Sequence, residues 1–401
     1  MKMSRIQNLI WLGTIFLLLL TGCEYEGPTA VYYQAHLSTP SPSINRITPP
    51  NEAVPGVNYI TIEGQNFSAV PDQNKVYFDG YQAEIVSSST TAITVRRPNK
   101  VGDSTTVAVV NNSALQVAKH GPYKIKPVLS TYGQFLQGDQ LSAVAVDAQE
   151  NVYVVQRTPR TVYKVNPDGE KTILGEAART VTDAMLSPGG TLLLLMNNRM
   201  IGQINVETGE YSEWVNLSKR VAFGDFDSNG FFYTGGSNTD LLIIAPDLST
   251  RLIGVYAQSD IRGVRVFSGY VYIFAENSRP TEDEPALAFW RHPFGDSPGT
   301  LGEKELVLDW ATTGEYAASE VKDFTFSADG VLYVGTDDVH PLFMLNPDQS
   351  QDILYKGILP AYTEQIVWGN GNYLYIIQGG DKWDLLRVDM GAPGAPYYGR
   401  R

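Results

Sequence analysis

From Leu141 onward the same order of apolar and polar positions keeps returning. Units open at Leu141, Val181, Val221, Ile261, Val321 and Thr363, spaced 40, 40, 40, 60 and 42 residues apart. Each begins with an apolar strand and a turn rich in Asp, Asn, Ser and Gly. An aromatic and β-branched strand, a polar loop, a third strand and a Pro/Asp/Gly turn follow. A fourth run, such as Lys171–Leu174 or Tyr211–Val215, completes the unit. Short apolar and aromatic runs bounded by turn residues are strand signals. Four strands in about 40 residues is the unit of a β-propeller, so six units predict six blades within residues 126–401. The last unit runs out after Leu386–Asp389, whereas Pro127–Gly133 precedes the first unit as a strand with no sheet of its own. That N-terminal strand is expected to complete the last blade, because closure removes open sheet edges.

Shorter runs fill residues 42–125. Val57, Tyr59, Thr61 and Glu63 alternate with Asn58, Ile60 and Ile62, and similar runs recur at Val76–Phe78, Ala92–Val95 and Thr106–Val110. Pro, Gly, Asn and Ser clusters separate them, which predicts a compact antiparallel sandwich and makes the whole chain all-β. Ile44 and Ile47 before Pro49, Gly56, the run Ile60–Phe67 and Asp79-Gly80 before Ala83 resemble the immunoglobulin-like IPT/TIG family. The resemblance implies a spacer, dimerisation or adhesion module, with no shared ligand-binding residue to carry over. Gly64 and Gly80 fall where a turn would need positive φ.

The repeats carry a resemblance of their own. VDAQENVYVVQRT followed by VYKVNPDG, and FSADGVLYVGTD followed by LFMLNPDQ, resemble NHL-type and related six-bladed propellers. An IPT/TIG module ahead of such a propeller is similar to surface lipoproteins that Bacteroidetes deploy beside glycan-uptake machinery.

The N-terminus adds a compartment. Lys2 and Arg5 precede the apolar run Leu9–Leu20 and then Thr21-Gly22-Cys23, the layout of a signal peptide over residues 1–22. The run is shorter than the roughly 20 residues that span a bilayer. Leu20-Thr21-Gly22-Cys23 resembles a bacterial lipobox, which implies cleavage before Cys23, its acylation, and membrane attachment through lipid. Residues 23–41 read as a tether, and Glu24 after the cysteine is compatible with transport to the outer membrane.

Charge and chemistry narrow the function. The chain of 401 residues carries 30 Lys+Arg against 43 Asp+Glu, a net charge of −13, which argues against a nucleic-acid partner. Cys23 is the sole cysteine, so no intramolecular disulfide or cysteine-rich zinc site can form. The propeller region holds only His292 and His340, which excludes a three-histidine zinc site there. Asp225-Phe226-Asp227-Ser228-Asn229-Gly230 matches the first half of a calcium loop, but Gly236 stands at the twelfth position, and a turn is the stronger reading. No nucleophile elbow, phosphate loop or dinucleotide fingerprint occurs, so neither cofactor nor metal is expected.

Propellers bind ligands over the central channel, where loops of successive blades converge. The candidates there are Arg157, Arg199, Arg220, Arg262, Tyr316, Glu320, Tyr362, Glu364 and Trp383. Mixed charge with aromatic rings suits an uncharged or mildly charged polar ligand: charged groups bond hydroxyls while rings cover sugar C–H edges. The expected function is binding of an extracellular polysaccharide, with an adhesion or assembly scaffold for a surface protein as the alternative. A lactonase-like metal hydrolase ranks last, because Asp323 and Glu320 lack a companion set. Trp214, Trp290 and Trp310 are expected to pack between blades.

Overall fold

The computed structural model describes residues 39–136, 138–380 and 382–400; the leader, Cys23 and most of the tether lie outside the described residues. The chain is all-β, in two parts. In the first, a four-stranded sheet in the order Ser43–Thr48, Tyr59–Gln65, Ala92–Arg96, Ile85–Ser88 faces a five-stranded one. Ile60 and Ile62 point into the core with Val76, Phe78, Ile93, Val107 and Tyr123, while Tyr59, Thr61 and Glu63 stay partly exposed. Each fully buried Ile contributes about 1.5–3 kcal/mol. Gly80 has the expected positive φ of 84°. Gly64 does not; it is a strand residue against which the Ser43 carbonyl and the Phe67 ring close, leaving no room for a Cβ.

The repeats form six four-stranded antiparallel sheets, called I to VI from the N-terminus. Their first strands are Leu141–Val146, Asp183–Leu186, Phe223–Phe226, Ser259–Phe267, Val321–Phe326 and Thr363–Trp368. In sheet VI the outer strand is Leu129–Thr131, which pairs antiparallel with Leu385–Asp389. The first strands touch in cyclic order, that of sheet VI meeting that of sheet I.

Side-chain acceptors stitch these strands laterally. Asp183 accepts the Gly224 N–H (3.3 Å), Asp225 that of Val266 (2.9 Å), Asp323 that of Ile366 (3.1 Å) and Gln365 that of Val144 (2.6 Å). Each bond runs from one sheet to the next, and satisfies an edge-strand donor that the sheet itself cannot reach. The turns between first and second strands also rest on aspartates. Asp147 accepts the Gln149 and Asn151 N–H groups and the Tyr153 hydroxyl; Asp227 does the same with Asn229, Phe231 and Tyr233. The half calcium loop is therefore a turn, with Asp225 turned away to the axis.

After Asp389 the chain returns across the ends of the first strands, on the side of the turns that follow them. Ala395 donates its N–H to the Phe326 carbonyl (2.9 Å), and the Tyr397 hydroxyl bonds Thr325 (2.8 Å). Arg400 donates to the Val146 and Trp368 carbonyls at 2.9 and 2.5 Å. Trp290 and Trp310 are buried, and Trp214 packs edge-on against Phe226 and Phe232, as expected of packing residues.

The sandwich is seated on the outer strand of sheet V. Asp352 accepts from Asn58 Nδ2 (3.0 Å), the Tyr59 hydroxyl (2.5 Å) and Arg96 Nη1 (3.2 Å). Burial, then Asp352, pushes the Tyr59 hydroxyl up to about 12. The Tyr355 hydroxyl receives the Gly56 N–H (2.6 Å) and donates to the Asp389 carbonyl (3.0 Å).

Candidate functional site

At the end opposite the tail, the connections between sheets and the loops after their second strands enclose a cavity of about 410 Å³. Of the candidates, Arg157, Arg262, Glu320 and Glu364 line it together, with Ser142, Thr182, Phe223 and Lys322 among their neighbours. Arg262 pairs with Glu276 and lies 4.0 Å from Glu320, which also holds Lys322 at 2.8 Å. The Arg157 guanidinium lies over the Trp383 ring, 5.5 Å from its centre. Tyr362 is 46% exposed on the loop entering sheet VI, its ring beside Gly380. Arg199 and Arg220 are exposed beside the cavity without lining it.

Tyr316 is a correction. It lies in the short 3-10 helix Gly314–Ala318 and is 2% exposed, packed on Trp310 and Phe343 with its hydroxyl donating to the His340 carbonyl. The apolar faces of Trp310 and Phe343 draw the ring inward, so it borders a separate groove beside Arg96 and Asp352 and cannot stack a ligand at the channel.

Among the first strands, beneath the cavity, lies a polar cluster of which the sequence points only to Asp225 and Asp323, and to those in other roles. Arg265, Asp183, Asp225, Asp323 and Gln365 are all nearly fully buried. Arg265 reaches Asp323 at 3.5 Å and donates to the Phe324 carbonyl at 3.1 Å, while Gln365 donates to Asp183 at 2.7 Å. Burial pushes Asp183 up to about 7, Arg265 opposing and Asp323 reinforcing the shift. Burial likewise pushes Asp225 up to about 6, again with Arg265 opposing. Burial works against the charge on Arg265, but Tyr397, Asp323, Asp183 and Asp225 outweigh it, and the guanidinium is held above its ordinary value. A signal for the cluster exists in the sequence: Asp225 and Arg265 stand one period apart, as charges at one position of an apolar strand.

Comparison with known proteins adds a family and a fold. Residues 42–125 match the IPT/TIG domain family. No curated protein matches the chain. Among solved structures it is similar to a Bacteroides thetaiotaomicron protein of unknown function, at 13% identity and a TM-score of 0.52, over 87% of this chain and 98% of that one. An auxiliary nutrient binding protein from the same organism is similar at 12% identity and 0.51, over 87% and 97%. A luciferin-regenerating enzyme is similar at 14% identity and 0.53, over 69% and 99%. These likenesses are of fold alone.

Proposed function

We propose that the protein is a surface-exposed outer-membrane lipoprotein, held by an acylated Cys23, that binds an extracellular polymer, a glycan, at the open mouth of a closed six-bladed propeller. The observation that carries this reading is the asymmetry of the channel. One end is filled by the protein's own tail, while the other holds a polar cavity of about 410 Å³ bordered by charged groups and an accessible Trp383. Convergent polar groups in a concave site are the ordinary makings of a ligand pocket, and an indole beside a guanidinium offers a sugar both a face and hydrogen bonds. The cyclic contact of six first strands, and the pairing of Leu129–Thr131 with Leu385–Asp389, support reading the sheets as blades of one ring. The nutrient-binding name of a Bacteroides neighbour of the same fold supports the surface role. A lactonase-like metal hydrolase is disfavoured, because the Arg265 guanidinium already neutralises the axial carboxylates where a cation would have to sit.

Affinity electrophoresis of the protein through gels containing plant, fungal and bacterial polysaccharides tests the binding. Retardation by at least one polymer, reduced about tenfold in affinity by Trp383→Ala, is expected. Migration unchanged in every gel, with capture of a surface protein instead, would favour the scaffold. Cys23→Ser is expected to abolish incorporation of labelled palmitate and to release the protein from the membrane fraction.

A further inference from the structure

We infer that the polymer bound at the mouth is an anionic saccharide, carrying carboxylate or sulfate groups, held by a crescent of arginines around sheet II. The inference rests on the reading above that the mouth binds polysaccharide, and names the class. Arg157 follows the second strand of sheet I, and Arg179 lies in the connection from sheet I to sheet II. Arg199 belongs to the third strand of sheet II, Asn198–Asn205, and Arg220 to its fourth, Tyr211–Val221. All four are exposed. Among the described residues none of them is ion-paired, although eight ion pairs elsewhere use an arginine.

Across the channel the sign reverses. Glu276, Glu320, Asp337 and Glu364 border sheets IV to VI; among the cations on that side Arg262 and Lys322 are engaged by Glu276 and Glu320, while Arg279 and Lys382 stand on the loops after the second strands of sheets IV and VI. The mouth is thus split into a half where arginines gather and a half where carboxylates outnumber the cations. In a chain of net charge −13, four guanidiniums around one sheet with no ion pair among the described residues are a local reversal of the background. Such a reversal beside low-dielectric walls focuses the field and draws anions to that side. Arginine presents a planar fork that matches carboxylate and sulfate oxygens in pairs, which an ammonium cannot. Arg157 itself lines the cavity, its guanidinium over the Trp383 ring, a contact that favours a cation beside an aromatic face. The acidic half repels the same anions, so the polymer lies with its charged groups along sheet II and its hydroxyls toward Glu320 and Glu364.

The test is affinity electrophoresis of the full chain in gels containing polygalacturonate, chondroitin sulfate, or neutral galactan and dextran, with single-stranded DNA as a further arm. One of the two acidic polysaccharides is expected to bind at least about tenfold more tightly than the neutral ones, and to lose that advantage near 0.5 M salt. The combined variant Arg157→Gln, Arg199→Gln, Arg220→Gln abolishes the preference with an unchanged melting temperature, while Arg46→Gln on the sandwich leaves it intact. Binding to neutral polymers alone overturns the inference and leaves the polysaccharide reading standing. Retardation by none of the polymers overturns both, and equal retardation by DNA overturns the saccharide assignment.

Discussion

The two ends of the channel use the same residue types to opposite effect. At the tail end Arg400 spends its donors on the Val146 and Trp368 carbonyls and stacks on Tyr397, while just above it Arg265 is enclosed by three carboxylates. At the mouth Arg157, Arg199 and Arg220 remain exposed, and Glu364 borders the cavity. Buried charges with all partners inside the protein tie the first strands together; several exposed charges around the cavity have no ion pair among the described residues. The difference teaches that charge gathered where sheets converge is not itself a mark of a ligand site. What separates the two uses is whether the hydrogen-bonding capacity is already consumed.

The comparison breaks first at the axis. Arg265→Met leaves Asp183, Asp225 and Asp323 buried without their cation, and is expected to destabilise the fold by about 3–5 kcal/mol in urea titrations. A change near zero would mean that the cluster is not what secures the inner strands. Next, Arg400→Ala removes a charged donor from two carbonyls and is expected to lower stability by about 2 kcal/mol, leaving polymer retardation unchanged.

The buried carboxylates add a pH dependence with a definite sign. Asp183 is raised from 3.8 to about 7, so its contribution is fully present below the unfolded value and is lost as pH rises through about 7. The melting temperature is expected to fall between about pH 4 and 7, and Asp183→Asn, which keeps the acceptor, should flatten that slope. Tyr316→Phe should cost about 1 kcal/mol through its hydrogen bond to the His340 carbonyl, with no effect on binding. At the mouth the expected stability effect is smallest: Trp383→Ala should shift unfolding by under about 0.5 kcal/mol while weakening polymer binding.

Much of the fold could be read from the repeat. Units placed at Leu141, Val321 and Thr363 coincide with the first residues of inner strands, because runs buried on both faces and bounded by polar turns mark where such strands begin. The stray run at Pro127–Gly133 supplies Leu129–Thr131 as the outer strand of sheet VI, because it covers an otherwise open sheet edge. The tail was not legible. Gly391–Arg400 has no alternation, and its contacts depend on where the ring's turns lie, as Gly399 against the Leu186 carbonyl illustrates. The site was legible by loop position alone. That logic finds Arg157, Arg262, Glu320 and Glu364, and fails for Tyr316, whose connection folds inward on neighbours distant in sequence.

The seating of the sandwich on sheet V has a mechanical meaning. Covalently, any tension applied ahead of Ser43 would pass through residues 126–128 onto the three-residue strand Leu129–Thr131, the seam of sheet VI. A seam that short would peel. The bonds from Asn58, Tyr59 and Arg96 to Asp352, and from Gly56 to Tyr355, divert the load into a different sheet, so that a pull on the sandwich is borne by sheet V rather than by the short seam.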